Sequence, residues 1–208
     1  KEGSIYKYNL KEECEKVYGA YDTNHPYVKI LQNAYETEEK IYNIGGKITE
    51  FKLPPHYDFV SFRKTPDQLK RQFRQMGWNK VVGFQTRNPM HRSHFELTKY
   101  AQKVAGEDCK ILLHPVIGVT QDCDVNYHTR VKCYKKLLKY YDEDECELSL
   151  LNLSMRMAGP REAVWHAQIR KNHGCTHFVV GRDHAGPSYK KQDGTDFYGH
   201  YDAQDLLL

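Results

Sequence analysis

From Thr65 onward the chain alternates short, dense apolar runs with longer amphipathic ones. KVVGF (80–84), KILLHPVIG (110–118), ELSLLNL (147–153) and THFVVG (176–181) are too short for helices and nearly continuous in apolar character. That is the pattern of strands covered on both faces. Between them lie helical patterns. One runs from about Pro89 to Val104. HTRVKCYKKLLKYY (128–141) places Val131, Tyr134, Leu138 and Tyr141 on one face, and PREAVWHAQIRKNHG opens with Pro160 and closes with Gly174. TPDQLKRQFRQMG precedes the first strand with Thr65 as N-cap, Pro66 at the first helical position, Gln68 three residues after the cap and Gly77 at the C-terminal turn. Strands alternating with helices predict an α/β fold: a Rossmann-like parallel sheet with helices on both faces.

The chain before Thr65 lacks this rhythm. It is rich in Tyr and charge, with helical turns predicted around Leu10–Tyr18 and His25–Thr37, and IYNIGGKITEFKL reads as a hairpin about Gly45-Gly46. Pro54 and Pro55 in KLPPHYDF mark a linker, since neither can continue a helix or donate to a sheet. The chain therefore divides near residues 53 to 64, into a segment 1–58 and an α/β domain 59–208.

In such sheets ligands bind beyond the carboxyl ends of the strands. Here those loops hold QTRN, HPVIGVTQD, SMRMAGPR and GRDHAGP, where Arg, His, Asn and Gly concentrate. In FQTRNPMHRSH, Asn88 is placed to cap the helix that Pro89 starts, and the free N–H groups of such a helix end suit an anion. Arg87 and Gln85 fall within reach of that anion, Arg with a two-pronged donor matched to phosphate or sulfate. His91 falls in the first helical turn, with His94 one turn later. The same residues also read as an ordinary capped helix with His94 packed on Met90, Leu97, Ala101 and Val104. GRDHAGP offers Arg182 and His184 among glycines that allow close approach, or a strand-end turn in which Asp183 pairs with Arg182. Arg156 and Arg161 stand near the third helix start, as anion ligands or as solvated charges.

Composition narrows the classes. A net charge of +4 from 31 basic and 27 acidic residues, mixed without blocks, gives no expectation of nucleic-acid binding but leaves room for a local basic pocket. No apolar run reaches the length of about 18 needed to span a bilayer, and KEGSIYKYNL lacks a signal-peptide core, so neither a membrane span nor an address is expected. Six scattered cysteines without CxxC pairs suggest free thiols in a reduced, cytoplasm-like compartment. GxxxxGK[ST], GxGxxG, GxSxG and HExxH are missing, and no metal-cage spacing is present, so no protein metal ligands are expected.

QTRNPMHRSH, LSMRMAGPREAVWHAQIRKN, HFVVGRDHAGP and FYGHYDAQDL closely resemble the ATP sulfurylase (sulfate adenylyltransferase) family over about residues 20–208. The resemblance implies a nucleotidyl transferase type of Rossmann-like domain over 59–208. It also implies, from YDTNHPYVKIL, the end of a β-rich PUA-like domain in 1–58. It implies formation of adenosine 5′-phosphosulfate and pyrophosphate from ATP and sulfate, by attack of sulfate on the α-phosphorus, with Mg²⁺ entering as MgATP. This is the first step of sulfate activation, or runs in reverse in sulfur oxidation. By resemblance, sulfate lies near Gln85, Arg87 and the N–H of Ala185. ATP lies along Gln85, Thr86, Arg87, Asn88, Gly181, Arg182, Asp183 and His184. Thr86, Arg87 and Asn88 fall in the active centre, and His91 and His94 stabilise the transition state. A homo-oligomer is expected, in the cytoplasm or an organelle such as a plastid. Because the family continues past the DAQDL segment, the chain is expected to be a piece of a longer protein. A catalytically silent nucleotide- or anion-binding module, and an adenylyltransferase with another acceptor, are the competing readings.

Overall fold

The computed structural model describes residues 3–7, 9–37 and 42–208. Strand β1 (Ser4–Lys7) is followed by helices α1 (Leu10–Tyr18) and α2 (Pro26–Thr37), then strand β2 (Tyr42–Gly45). Asn9 starts α1 by accepting from Glu12 N at 3.1 Å, and Gly19, with φ of 73°, ends it. Both helices match the sequence pattern.

The hairpin does not form. β2 pairs antiparallel with β1, Ile44 opposite Ile5, and residues 46–57 carry no regular structure; Ile41 of the expected hairpin lies outside the described residues. The reason is local. A Cβ on Gly3 would stand 2.3 Å from Gly45 O, so two glycines bring β1 close, whereas Ile48, Phe51 and Leu53 remain exposed without a partner strand.

The second part begins with helix α3 (Pro66–Gln75), closed by a full capping box: Thr65 Oγ1 accepts from Gln68 N at 3.4 Å, and Gln68 Oε1 from Thr65 N at 2.8 Å. There follow β3 (Val81–Phe84), α4 (Arg92–Ala105), β4 (Lys110–Leu113), α5 (Tyr127–Leu137), β5 (Cys146–Leu148), α6 (Gly159–Asn172), β6 (His177–Phe178) and α7 (Asp202–Leu207). The four later strands form one parallel sheet in the order β5-β4-β3-β6.

Successive residues point to opposite faces. Val82, Phe84, Ile111, Leu113 and Leu148 pack with Val131 and Tyr134 of α5 and with Phe95 and Ala101 of α4. Val81 and Leu112 pack with Leu69, Phe73 and Trp78 around α3 on the other side. Helices thus cover both faces, as the apolar runs predicted.

Paired strands are shorter than those runs. Pro115 cannot donate, so regular pairing in the second run ends at Leu113, with His114 N still donating to Phe84 O at 2.9 Å and a single bridge further on between Val116 and Leu151. From β3 the chain moves outward through β4 and β5, then returns to set β6 on the opposite side of β3. The loops after β3 and β6 therefore part at a topological switch point, the place where such sheets bind ligands.

Candidate active site

The loop after β3 departs from the sequence expectation. α4 begins at Arg92, not near Pro89, with His91 at the cap position and no side-chain cap bond. Asn88 is no helix cap. Its Nδ2 donates to Asp124 Oδ1 at 2.9 Å and its Oδ1 accepts from Val125 N at 3.4 Å, so its side chain is spent on the strap before α5. The apolar stripe expected beside His94 also shifts: Leu97 and Val104 are exposed, while Phe95, Thr98, Ala101 and Ala105 face the sheet. His94 instead sits between Phe84 and His91, its ring 4.1 Å from that of His91.

The strap holds the whole loop. Arg87 Nη1 donates to both Asp124 oxygens at 2.8 Å. Arg130 donates to Arg87 O, and Tyr134 Oη to Asn88 O at 2.8 Å. Thr86 Oγ1 donates to Asn88 O at 2.9 Å, a bond that closes the turn. Burial works to raise the Asp124 carboxyl, but hydrogen bonds from Gln121 N and Asn88, with the Arg87 charge, hold it below the usual range.

The loop after β6 supplies the facing wall. Asp183 and Ala185 both adopt φ of 56°, a left-handed conformation rare outside glycine and characteristic of constrained sites. Asp183 is engaged by His200 Nδ1 at 2.6 Å and Arg182 Nε at 3.2 Å. Beside Gly181 a Cβ would meet nothing within 4 Å, leaving open space. A cleft of about 460 Å³ joins the two loops and is lined by Arg87, Arg182, Asp183, His184, Pro160 and Tyr198 among others, a size suited to a small-molecule ligand. The structure thus unites Arg87, Arg182, Asp183 and His184. Gln85 lies at the base of the β3 loop, and His91 and His94 stand at the start of α4, beyond the cleft lining.

His184 is held neutral by burial, which with the neighbouring His166 and Arg170 brings it down to about 3; its Nε2 lies 3.1 Å from His166 Nδ1. Burial likewise lowers His25, His94, His114, His166 and His173. These groups keep the unfolded value near 6.5 only when the chain is open. Below that pH the unfolded chain takes up protons that the fold refuses, so the stability present above pH 6.5 is lost as pH falls toward the folded values. The expected result is a melting temperature that drops steadily from about pH 7 to about pH 5; a midpoint constant over that range would contradict buried neutral imidazoles.

Sequence reasoning missed Asp124, Arg130, Tyr134, Glu162 and Arg170. Arg130 and Arg170 are buried cations, and Asp124 and Glu162 near-buried anions. Such residues look like surface charges when read along an amphipathic pattern, since Arg130 and Arg170 fall among lysines on helices. Arg156 is exposed and lies over the rings of Tyr27 and Trp165 rather than in the cleft.

Fold and site together define a doubly wound α/β domain with a polar crevice at the switch point of its sheet. A family model for ATP-sulfurylase matches residues 60–208. Sulfate adenylyltransferase of Debaryomyces hansenii is 51% identical over 206 residues, covering 98% of this chain. That of Eremothecium gossypii is 52% identical over 203 residues, again 98% of the chain. That of Saccharomyces cerevisiae is 50% identical over 203 residues. The chain spans 38% of the first relative's length and 39% of the second's. Among solved structures, a hexameric APS kinase from Thiobacillus denitrificans matches with a TM-score of 0.61 and 30% identity, over 68% of this chain and 28% of that one. The chain belongs to the ATP-sulfurylase family.

Proposed function

We propose that the protein is a sulfate adenylyltransferase, joining ATP and sulfate into adenosine 5′-phosphosulfate and pyrophosphate, with residues 59–208 as its catalytic domain and 1–58 as the end of a PUA-like domain. The observation that carries this reading is the convergence of Arg87 with Arg182 and His184 on one cleft at the switch point. Sulfate is fully ionised near neutral pH, so its attack on the α-phosphorus needs no general base. The site must orient a poor nucleophile and neutralise charge on phosphorus oxygens and departing pyrophosphate.

Gln85, Arg87 and the Ala185 N–H are assigned to sulfate. Gln85, Thr86, Arg87, Asn88, Gly181, Arg182, Asp183 and His184 are assigned to ATP, with Thr86 and Asn88 acting mainly by fixing the loop that carries Arg87. His91 and His94 stand at the start of α4, whose end carries no side-chain cap, a position suited to stabilising phosphate charge. Both carboxylates lining the cleft are engaged, Asp183 with His200 and Arg182, and Asp196 with Lys190 at 3.7 Å. Mg²⁺ is therefore taken to arrive on the ATP phosphates as part of the substrate. No helix among the described residues is long and apolar enough to cross a membrane; the cytoplasm or an organelle such as a plastid is the proposed location, and a homo-oligomer the proposed assembly.

Pyrophosphate release from MgATP by full-length protein tests the reading, with release expected only when sulfate is present. Release without sulfate would assign another acceptor, and none at all would identify a silent binding module.

A further inference from the structure

Arg170 is fully buried, yet among the described residues no carboxylate comes within ion-pair distance of it. Burying a guanidinium without a counter-charge is strongly unfavourable, so its partners matter. One nitrogen, Nη2, donates to Gln85 Oε1 at 2.6 Å and to His114 O at 2.9 Å; Nη1 reaches His166 O at 3.4 Å; Nε has no partner. Glu162 acts on it only at a distance, its own oxygens accepting from Arg156 N and Ala158 N. Burial pulls the guanidinium down to about 9, which leaves it charged at neutral pH.

β3 clears the way for this contact. A Cβ on Gly83 would stand 3.1 Å from Arg170 Cγ and 3.0 Å from Cys175 Sγ. Glycine therefore lets the Arg170 stem lie close against β3 and reach Gln85, two residues on and on the same face. A guanidinium can only donate, so the atom of Gln85 that meets it must be the carboxamide oxygen. The carboxamide nitrogen is then turned away, its contact being the weak acceptor Met155 Sδ at 3.5 Å.

We propose that Arg170 is a positioning residue of the anion site: by holding the Gln85 carboxamide oxygen it fixes the orientation in which the Gln85 N–H donors are presented to sulfate. The assignment rests on the sulfate reading of that site and extends it, making Gln85 a donor of fixed orientation.

The test uses full-length protein, measuring the KM for sulfate and for ATP by pyrophosphate release and, separately, the rise in melting temperature produced by sulfate alone. Arg170→Lys keeps the charge and loses the fork. It is expected to raise the sulfate KM about tenfold or more, the size of a lost charged hydrogen bond, with a smaller rise in the ATP KM, because ATP is held by other residues besides Gln85. Added to Gln85→Ala, it should raise the sulfate KM no further. Equal rises in both KM values, or additive effects in the double variant, overturn the proposal. Should Arg170→Lys fail to fold, Gln85→Glu serves instead. Its carboxylate supplies the missing counter-charge, so the protein should fold at least as stably and lose sulfate affinity about tenfold; unchanged sulfate affinity there overturns the proposal. Because the sulfate-induced melting shift does not depend on turnover, a wild type that shows the shift without sulfate-dependent pyrophosphate release would sink the reaction and leave the anion site and its Arg170 dependence standing. A wild type that turns over normally with a sulfate response indifferent to Arg170 would sink this inference alone.

Discussion

Arg87→Ala is expected to lower turnover of the full-length protein by roughly 10²-fold to 10³-fold, the scale of losing one preorganised donor to a developing charge. Arg87 is only partly exposed and is gripped through Nη1 by Asp124, a carboxylate whose side chain is 4% exposed. That grip fixes the guanidinium before any substrate arrives, so no ordering remains to be done at the moment of reaction. Arg87 lines the same cleft as Arg182 and His184. Deleting the side chain leaves Asp124 still bonded to Asn88 Nδ2 and Gln121 N, so the fold should melt near its normal temperature. Arg87→Lys should recover only part of the rate, since an ammonium keeps the charge but lacks the fork that bridges Asp124 and an anion together. His91→Ala is expected to cost about 10²-fold on the same grounds. Near-normal kcat in the alanine variant of Arg87 would remove it from the site.

The four parallel strands and the helices on both faces were legible because each element rests on a local signal. Apolar runs such as KVVGF read as buried strands, and Thr65-Pro66 with Gln68 reads as a helix start, whatever lies elsewhere in the chain. Where the sequence misled, a distant partner decided the outcome. Asn88-Pro89 has the chemistry of a helix cap, but Asp124 and Val125 take the Asn88 side chain, and α4 starts three residues beyond Pro89 at Arg92. Gly45-Gly46 has the chemistry of a hairpin turn, but β1 from the far end of the segment takes the edge of β2. Arg170 was illegible for a related reason: nothing along PREAVWHAQIRKNHG distinguishes an arginine whose stem lies against Gly83 from one that faces water.

Glu162 was equally hidden, and its replacement should have the largest effect on stability. Glu162→Ala is expected to lower the unfolding free energy by about 3 kcal/mol or more, read from chemical or thermal denaturation. Glu162 is 2% exposed and lies in the first turn of α6, where the helix end favours a negative charge. Its two oxygens accept from Arg156 N at 2.9 Å and Ala158 N at 3.0 Å, fastening the loop between β5 and α6. Met157 there holds a φ of 58°, so the loop keeps a shape it would leave if released. Alanine would strand the part-buried Arg156 N–H and the buried Ala158 N–H, a buried orphan costing about 1–3 kcal/mol. Out of a total stability of roughly 5–15 kcal/mol for a domain, that is a large share. Glu162→Gln should fall between, because a carboxamide offers one oxygen where two are used and turns its own N–H donors against the other amide. Effects should also reach the cleft, since Gly159 N donates to Ala185 O at 3.1 Å and His25 Nε2 meets Met157 O at 2.9 Å. A Glu162→Ala variant that unfolds at the wild-type midpoint would show that the loop holds its form without the carboxylate.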